Sequence, residues 1–240
     1  MDNHFNTISN KYDEEIPEHI RLHLLEKKIS FTLKGLQKYR ESAMIGVDIG
    51  CGTGHYLSRM IDHGYKMYGF DSSEGMVECA KVNNQYKNAT ITAGTILHIP
   101  FPDNYFDFAY SINVFHHLTT REDQKKALME VSRILKPGGV FFLHEINTDT
   151  FIFRFYMNYI FPLTNKIDDD KETELWVPIK WLKNVDIPML HFEDVVYYTF
   201  MPNFLPRFIF KVSIYIESFL EKFTKGKLGA HYMVTLIKNV

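Results

Sequence analysis

Between Ile16 and Leu36 apolar residues recur at helical spacing (Ile16, Ile20, Leu24, Leu25, Ile29, Leu33, Leu36) with charged residues between them. This period predicts one or two amphipathic helices ahead of the main fold. The pattern then changes to short apolar runs separated by helical stretches. Met44 to Ile49 reads as a strand that enters Gly50-Cys51-Gly52-Thr53-Gly54 and continues as a helix from Tyr56 to His63. Lys66 to Phe70 is a second strand ending on Asp71, and Ser72 or Ser73 is placed to cap a helix that runs through Val82. Third and fourth strands are expected at Ala89 to Ala93 and Phe106 to Ser111, separated by a loop containing Pro100 and Pro102. Thr119 or Thr120 caps the next helix, whose buried stripe is Leu128, Val131 and Leu135. It stops at Lys136-Pro137-Gly138-Gly139, where Pro and Gly suit a type II turn. Val140 to Ile146 is the fifth strand. Near-continuous apolar strands alternating with helices predict an α/β fold with a parallel sheet covered on both faces.

After Asn147 the rhythm breaks. An aromatic-rich stretch reads as helical to about Phe161, an acidic loop Asp168-Asp169-Asp170 follows, and a sixth strand is expected near Val195 to Phe200. Pro202 and Pro206 bracket the entry to another amphipathic helix reaching about Phe223, and Ala230 to Ile237 forms the last strand. Residues 1–240 are read as one domain: N-terminal helices over 1–43, a cofactor-binding core over 44–147, a substrate cap with the sixth strand over 148–229, and the last strand over 230–240.

A chain of 240 residues can bury one large core. Lys and Arg number 27 against 29 Asp and Glu, a net charge of −2 that leaves no global field for gathering phosphates and speaks against a nucleic-acid partner. Cys51 and Cys79 build no disulfide framework and have no zinc-ligand spacing, which suits a reducing compartment. The N-terminus has no basic start followed by an apolar run, so a cytoplasmic location is expected. Arg154, Arg207 and Lys211 interrupt the apolar runs before they reach the roughly 18 residues of a membrane span, which leaves peripheral contact with a membrane open. Half of the Phe, Tyr and Trp residues lie between Phe151 and Phe223, and a function has to account for them.

The glycine turn carries the chemistry. A dinucleotide fold shows Gly-x-Gly-x-x-Gly, whereas this chain has Gly-x-Gly-x-Gly with Asp48 two residues before the first glycine. A carboxylate there repels a pyrophosphate and attracts an ammonium. Asp71, at the end of the second strand, can accept hydrogen bonds from both hydroxyls of a ribose. The two together ask for a nucleoside with a free ribose, no phosphate and a cationic amino-acid tail, which describes S-adenosylmethionine.

Val47-Asp48-Ile49-Gly50-Cys51-Gly52-Thr53-Gly54, Gly69-Phe70-Asp71-Ser72-Ser73-Glu74-Gly75-Met76, Pro100-Phe101-Pro102-Asp103 with Phe106-Asp107, Phe115-His116-His117-Leu118 and Ile134-Leu135-Lys136-Pro137-Gly138-Gly139 follow in order. With these motifs the chain resembles the class I S-adenosylmethionine-dependent methyltransferases, of the small-molecule type that includes the ubiquinone and menaquinone enzymes. The resemblance covers about Met44 to Asn147. It implies a Rossmann-like, seven-stranded, mostly parallel sheet with helices on both faces and an antiparallel last strand, with N-terminal helices and an aromatic-rich helical cap. It implies further that Gly50, Gly52 and Gly54 let the backbone approach the cofactor, that Asp71 holds the ribose and that Met76 packs on the adenine. Where the family usually has an acidic residue for the adenine amino group, Gly94 is followed here by Thr95, whose hydroxyl accepts more weakly. The expected cofactor contacts are Asp48, Gly50, Cys51, Gly52, Gly54, Asp71, Ser72, Met76, Thr95, Ile96 and Ser111.

His116 and His117 follow the fourth strand and are candidates for a general base, needed only if the acceptor must lose a proton; the alternative is that they pack or cap the next helix. Glu145 and Asn147, on one side of the fifth strand, are candidate substrate contacts, and alternation puts His144 on the other side. Phe155 and Tyr159 are further substrate candidates within the aromatic stretch. Asp103 and Asp107 are expected to shape the turn into the fourth strand. No metal site is expected: His19 and His23, four apart on a helix, are read as a solvated face. The aromatic regions read as an apolar pocket for a small hydrophobic or lipid-like acceptor, as a membrane-docking surface, or as a packed cap. Two rivals to methyl transfer are a different group transfer from a decarboxylated cofactor and a binding protein without turnover.

Overall fold

The computed structural model describes residues 17–151, 159, 174–199, 205–224 and 228–239. The aromatic segment with Phe155, the Asp168-Asp169-Asp170 loop and Pro202 lie outside the described residues.

Seven strands form a single sheet: β1 (Ile45–Ile49), β2 (Lys66–Asp71), β3 (Ala89–Ala93), β4 (Phe106–Ile112), β5 (Leu135–Ile146), β6 (Leu190–Tyr198) and β7 (His231–Lys238). Their spatial order is β3-β2-β1-β4-β5-β7-β6. The pairs β3–β2, β2–β1, β1–β4 and β4–β5 are parallel, while β7 runs antiparallel to both β5 and β6. The antiparallel last strand is the one expected.

Among the described residues six α-helices accompany the sheet: α1 (Glu18–Tyr39), α2 (His55–Asp62), α3 (Glu74–Asn83), α4 (Arg121–Ile134), α5 (Ile179–Asn184) and α6 (Arg207–Thr224), the last packed on α1. Alternation along β5 supplies both faces with core. Phe141 and Leu143 pack with Leu128 and Val131 of α4, whereas Val140 and Phe142 pack with Ile29 and Leu36 of α1 and Leu57 and Met60 of α2. The capping choices resolve onto Ser73, whose hydroxyl accepts from Met76 N at 3.1 Å, and Thr120, which accepts from Asp123 N at 3.0 Å. Asp107, inside β4, accepts from Met44 N and Ile45 N, each at 3.0 Å, so it fastens the entry to β1 rather than the turn into β4.

α1 is one unbroken helix, and its contacts fix its direction along β5. Arg40 donates to Gly138 O at 3.3 Å, Gly35 lies against the Phe142 ring, and Thr32 Oγ1 meets His144 Nε2 at 3.1 Å. Each step toward the helix N-terminus is a step toward the carboxyl end of the sheet, so Lys28, one turn beyond Thr32, reaches that edge.

Several expectations need correction. Leu135 opens β5 instead of closing the buried stripe of α4, so the strand starts five residues before Val140. β6 begins at Leu190, five residues before Val195, because a register irregularity between Phe192 and Asp194 breaks the alternation that would reveal the strand. His19 and His23 do not form a solvated face: they pack edge-on against Phe210 of α6, with ring centroids at 4.8 and 5.5 Å.

Candidate cofactor and acceptor site

The strand order reverses between β1 and β4, and ligands of open α/β sheets lie beyond the strand carboxyl ends at such a switch point. The glycine turn leaves β1 there. Gly52 has φ +51°, and a Cβ built on it would meet nothing within 4 Å, so its backbone faces open space. Gly54, also at positive φ, lies so close to Asn84 that a Cβ would press on it at 2.6 Å. One glycine thus opens the cradle and the other lets the turn pack on α3. The far end of α3 fastens the turn, with Asn83 donating to Thr53 O at 2.9 Å and Asn84 to Gly54 O at 3.2 Å.

Asp71 links this turn to the next. Its Oδ2 accepts from Gly52 N and its Oδ1 from Ser73 N, both at 2.9 Å, which leaves lone pairs on each oxygen for a diol. Burial raises its pKa, against the pull of those backbone N–H groups. Asp48 is buried beneath the turn and accepts from Tyr110 OH at 3.1 Å. Burial pushes its pKa up to about 8; Tyr110 and the Leu57 N–H oppose the rise, and the charge of Asp71 adds to it. A cation brought near would draw this carboxyl back to its ionised form. Cys51 is buried, and burial followed by the charges of Asp48 and Asp71 lifts its thiol well above the usual range, so it is no nucleophile.

The other expected contacts gather at the same edge. Ser111, paired with Ile49 across the switch point, is fully buried, and its Oγ has no hydrogen-bond partner among the described residues. Met76 is buried in the first turn of α3, and Ile96 is buried after β3. Thr95 is half-buried, its hydroxyl accepting from Leu97 N at 3.3 Å, while Ser72 is exposed. An open cradle over Gly52, free lone pairs on Asp71 and an orphaned buried hydroxyl fit a nucleoside cofactor.

The acceptor candidates divide. Glu145 is 1% exposed; its Oε1 accepts from Val114 N at 3.1 Å and Phe115 N at 2.8 Å, and its Oε2 lies 2.7 Å from His116 Nδ1. Its contribution to the site therefore runs through His116. The pair fixes the tautomer: Nδ1–H donates to the Glu145 carboxylate, and Nε2 is left as the base. Burial disfavours the imidazolium, but Glu145 outweighs it, and the His116 pKa is raised. Asn147 is buried and donates to Gly229 O at 2.9 Å, tying the end of β5 to the entry of β7. Tyr159 is 65% exposed. His144 turns to the opposite face, as alternation requires, and meets Tyr198 OH at 2.9 Å.

Two features escaped sequence reasoning. The segment at 174–176 crosses the histidine pair: Leu175 N donates to His116 O at 2.8 Å, Trp176 stacks on the His116 ring at 5.3 Å, and Glu174 Oε1 stands 3.9 Å from Nε2. His116, His117 and Glu174 together have metal-ligand types within 4.8 Å, with Glu174 part-exposed. The second feature is Lys28, 2% exposed, whose ammonium makes no hydrogen bond or salt bridge among the described residues. Its ammonium lies 5.9 Å from the Tyr56 ring. Burial lowers its pKa to about 8 against the pull of Glu145. Only a full set of contacts along α1 would have pointed to it. A cavity of about 370 Å³ between α5 and β6 lies at the amino end of the sheet, away from all of these groups.

Comparison with known proteins agrees with this geometry. A methyltransferase-domain family matches residues 47–143. A tRNA (carboxymethyluridine(34)-5-O)-methyltransferase of Saccharomyces cerevisiae is 38% identical over 102 residues, covering 42% of this chain and 35% of the yeast protein. The chain thus matches about a third of that relative's length. A demethylmenaquinone methyltransferase of Staphylococcus aureus is 28% identical over 190 residues, covering 72% of this chain and 73% of the relative. Among solved structures, a methyltransferase complexed with the Haloferax volcanii Trm112 activator superposes with a TM-score of 0.69 at 16% identity, covering 100% of both chains. An S-adenosylmethionine-dependent methyltransferase of Thermotoga maritima gives 0.59 at 20% identity over 98% of each chain. Residues 47–143 carry a methyltransferase domain of the S-adenosylmethionine-dependent type.

Proposed function

We propose that the protein transfers a methyl group from S-adenosylmethionine to a small hydrophobic or lipid-like acceptor. The observation that carries the reading is the open space over Gly52, bounded by Asp71 and the unpartnered Ser111 hydroxyl at the switch point. In this reading Asp71 binds the ribose hydroxyls, Asp48 faces the amino-acid ammonium, and Met76 with Ile96 encloses the adenine beside Thr95. Lys28 supplies a buried cation for a ligand carboxylate. The bound sulfonium supplies an activated methyl group, so the protein's main tasks are to align a nucleophile and exclude water. His116 takes a proton through Nε2 when the acceptor is an acidic hydroxyl or carbon, with Glu145 stabilising the imidazolium.

A small acceptor is favoured over a nucleic acid by the net charge of −2 and by the extent of the matches: the yeast tRNA enzyme is matched over 102 residues, the quinone enzyme over 190. The test is calorimetry with S-adenosylmethionine and its demethylated product, followed by incubation of labelled cofactor with a lipid extract and with total tRNA. Binding with label in the lipid fraction supports the reading. Label in tRNA overturns the acceptor class, binding without label in any fraction supports a protein without turnover, and no binding overturns the whole.

A further inference from the structure

α6 has two opposed faces. Toward α1 it turns Phe210, Ile214, Glu217 and Glu221, spaced i, i+4, i+7 and i+11. Glu217 meets His23 and Lys27, each at 2.7 Å, and Glu221 meets Lys27 at 2.6 Å. On the other side stand Phe208 (81% exposed), Val212 (59%), Tyr215 (79%), Phe219 (67%) and Phe223 (79%). At 100° per residue these five fall within about an 80° arc, and at 1.5 Å per residue they form a stripe about 22 Å long. Exposed Ile209 and Ile216 widen it on one side.

The charges of the helix are sorted as sharply as its apolar residues. Both acids of α6, Glu217 and Glu221, lie on the α1 side in ion pairs. Its exposed charges are Arg207, Lys211 and Lys222, which by the same angular count line one flank of the apolar stripe and make no ion pair among the described residues. The outward surface is therefore apolar and cationic with no acid, on a chain whose net charge is −2.

We propose that this face of α6 docks on an anionic lipid bilayer, with the helix lying in the interface plane. The aromatic stripe would enter the boundary between headgroups and acyl chains, and Arg207, Lys211 and Lys222 would meet lipid phosphates. No described helix is long and apolar enough to cross a membrane, so the geometry is that of a helix resting on the surface. A second copy of the chain is a poorer occupant: however two such faces are paired, Arg207, Lys211 and Lys222 meet no acid of the opposing helix, because Glu217 and Glu221 are turned toward α1. The proposal concerns binding alone and does not require the acceptor to be a lipid.

Sedimentation of the full chain with phosphatidylcholine vesicles, with and without about 30% phosphatidylglycerol, tests it. Pelleting is expected with the anionic vesicles and should weaken as salt rises. Phe208→Ser with Phe219→Ser, and separately Lys211→Glu with Lys222→Glu, should each lower vesicle partition about tenfold or more. Calorimetry of the same variants with S-adenosylmethionine checks that their fold and cofactor site persist. The proposal is overturned by no pelleting with anionic vesicles, or by pelleting that both pairs of substitutions leave unchanged. A concentration-dependent dimer in analytical ultracentrifugation that the Phe substitutions abolish, without vesicle binding, would assign the face to a second copy.

Discussion

A buried ammonium with no hydrogen-bonded partner is costly, and Lys28 persists at the ligand edge of the sheet. Met has a similar length and no charge. If Lys28 holds the methionyl carboxylate of the cofactor, Lys28→Met should weaken binding of the demethylated cofactor about tenfold or more, because a charged hydrogen bond is lost. Binding of 5′-methylthioadenosine, which lacks that carboxylate, should not change. Equal losses for both ligands in calorimetry would make Lys28 a packing residue, and a loss confined to acceptor affinity would place the carboxylate on the acceptor. Glu145 acts through His116 in a way that can be separated from its backbone contacts. In Glu145→Gln the amide oxygen can still accept from Val114 N and Phe115 N, but the charge that raises the His116 pKa is gone. A base must be neutral to work, so activity falls as pH drops through the His116 pKa. The substitution should therefore move the acid limb of the pH–rate profile down by about one unit. An unmoved limb, or full activity in both His116→Ala and His117→Ala, would remove general base catalysis.

The seam between α1 and α6 shows at element scale what was legible in the sequence. The period of each helix could be read from its own residues, but His19 and His23 looked like a solvated face because their partner, Phe210, is nearly 200 positions away. The same limit hid the Glu145–His116 pair and the 174–176 crossing, whose members come from separate segments. The core from β1 to β5 was readable because its signals are local: apolar strands, the glycine turn before α2, and a capping hydroxyl before α3 and before α4. β6 was misplaced where an irregularity interrupts its alternation, and α5 is only six residues long, too short to show a period. The seam also has a pH dependence with a definite sign. Burial alone would raise the Glu217 pKa, but His23, Lys27 and Thr199 outweigh it and bring it down to about 2, from 4.5. A depressed carboxylate contributes stability that is fully present above the unfolded value and is lost as pH falls through the folded one. The attachment of α6 should weaken between about pH 4.5 and 2, by up to about 3 kcal/mol. Hydrogen exchange of α6 amides across that window measures it, and Glu217→Gln should remove the dependence.

At the scale of the whole molecule, the proposed cofactor site is assembled from the ends of β1, β2 and β4 together with the first turns of α2 and α3, so no single element carries it. Asp71 bridges two of these turns through Gly52 N and Ser73 N, and a ligand that also engages it would tie the elements into one unit. Binding to the folded state alone stabilises it by RT ln(1 + [L]/Kd), about 2.7 kcal/mol at one hundred times Kd. For a chain of 240 residues that is a rise in melting temperature of about 5–10 °C. The demethylated cofactor at that concentration should produce such a rise in calorimetric scans. Asp71→Ala should abolish it, since the substitution removes both the diol acceptor and the bridge between the turns. If the variant still shows the full rise, the ribose lies elsewhere. Ser111→Ala offers a milder comparison: it deletes a hydroxyl that has no hydrogen-bond partner among the described residues, so the ligand-free protein should melt at nearly the same temperature as the parent. Any loss of the ligand-induced rise in that variant would then report a contact made by the ligand itself.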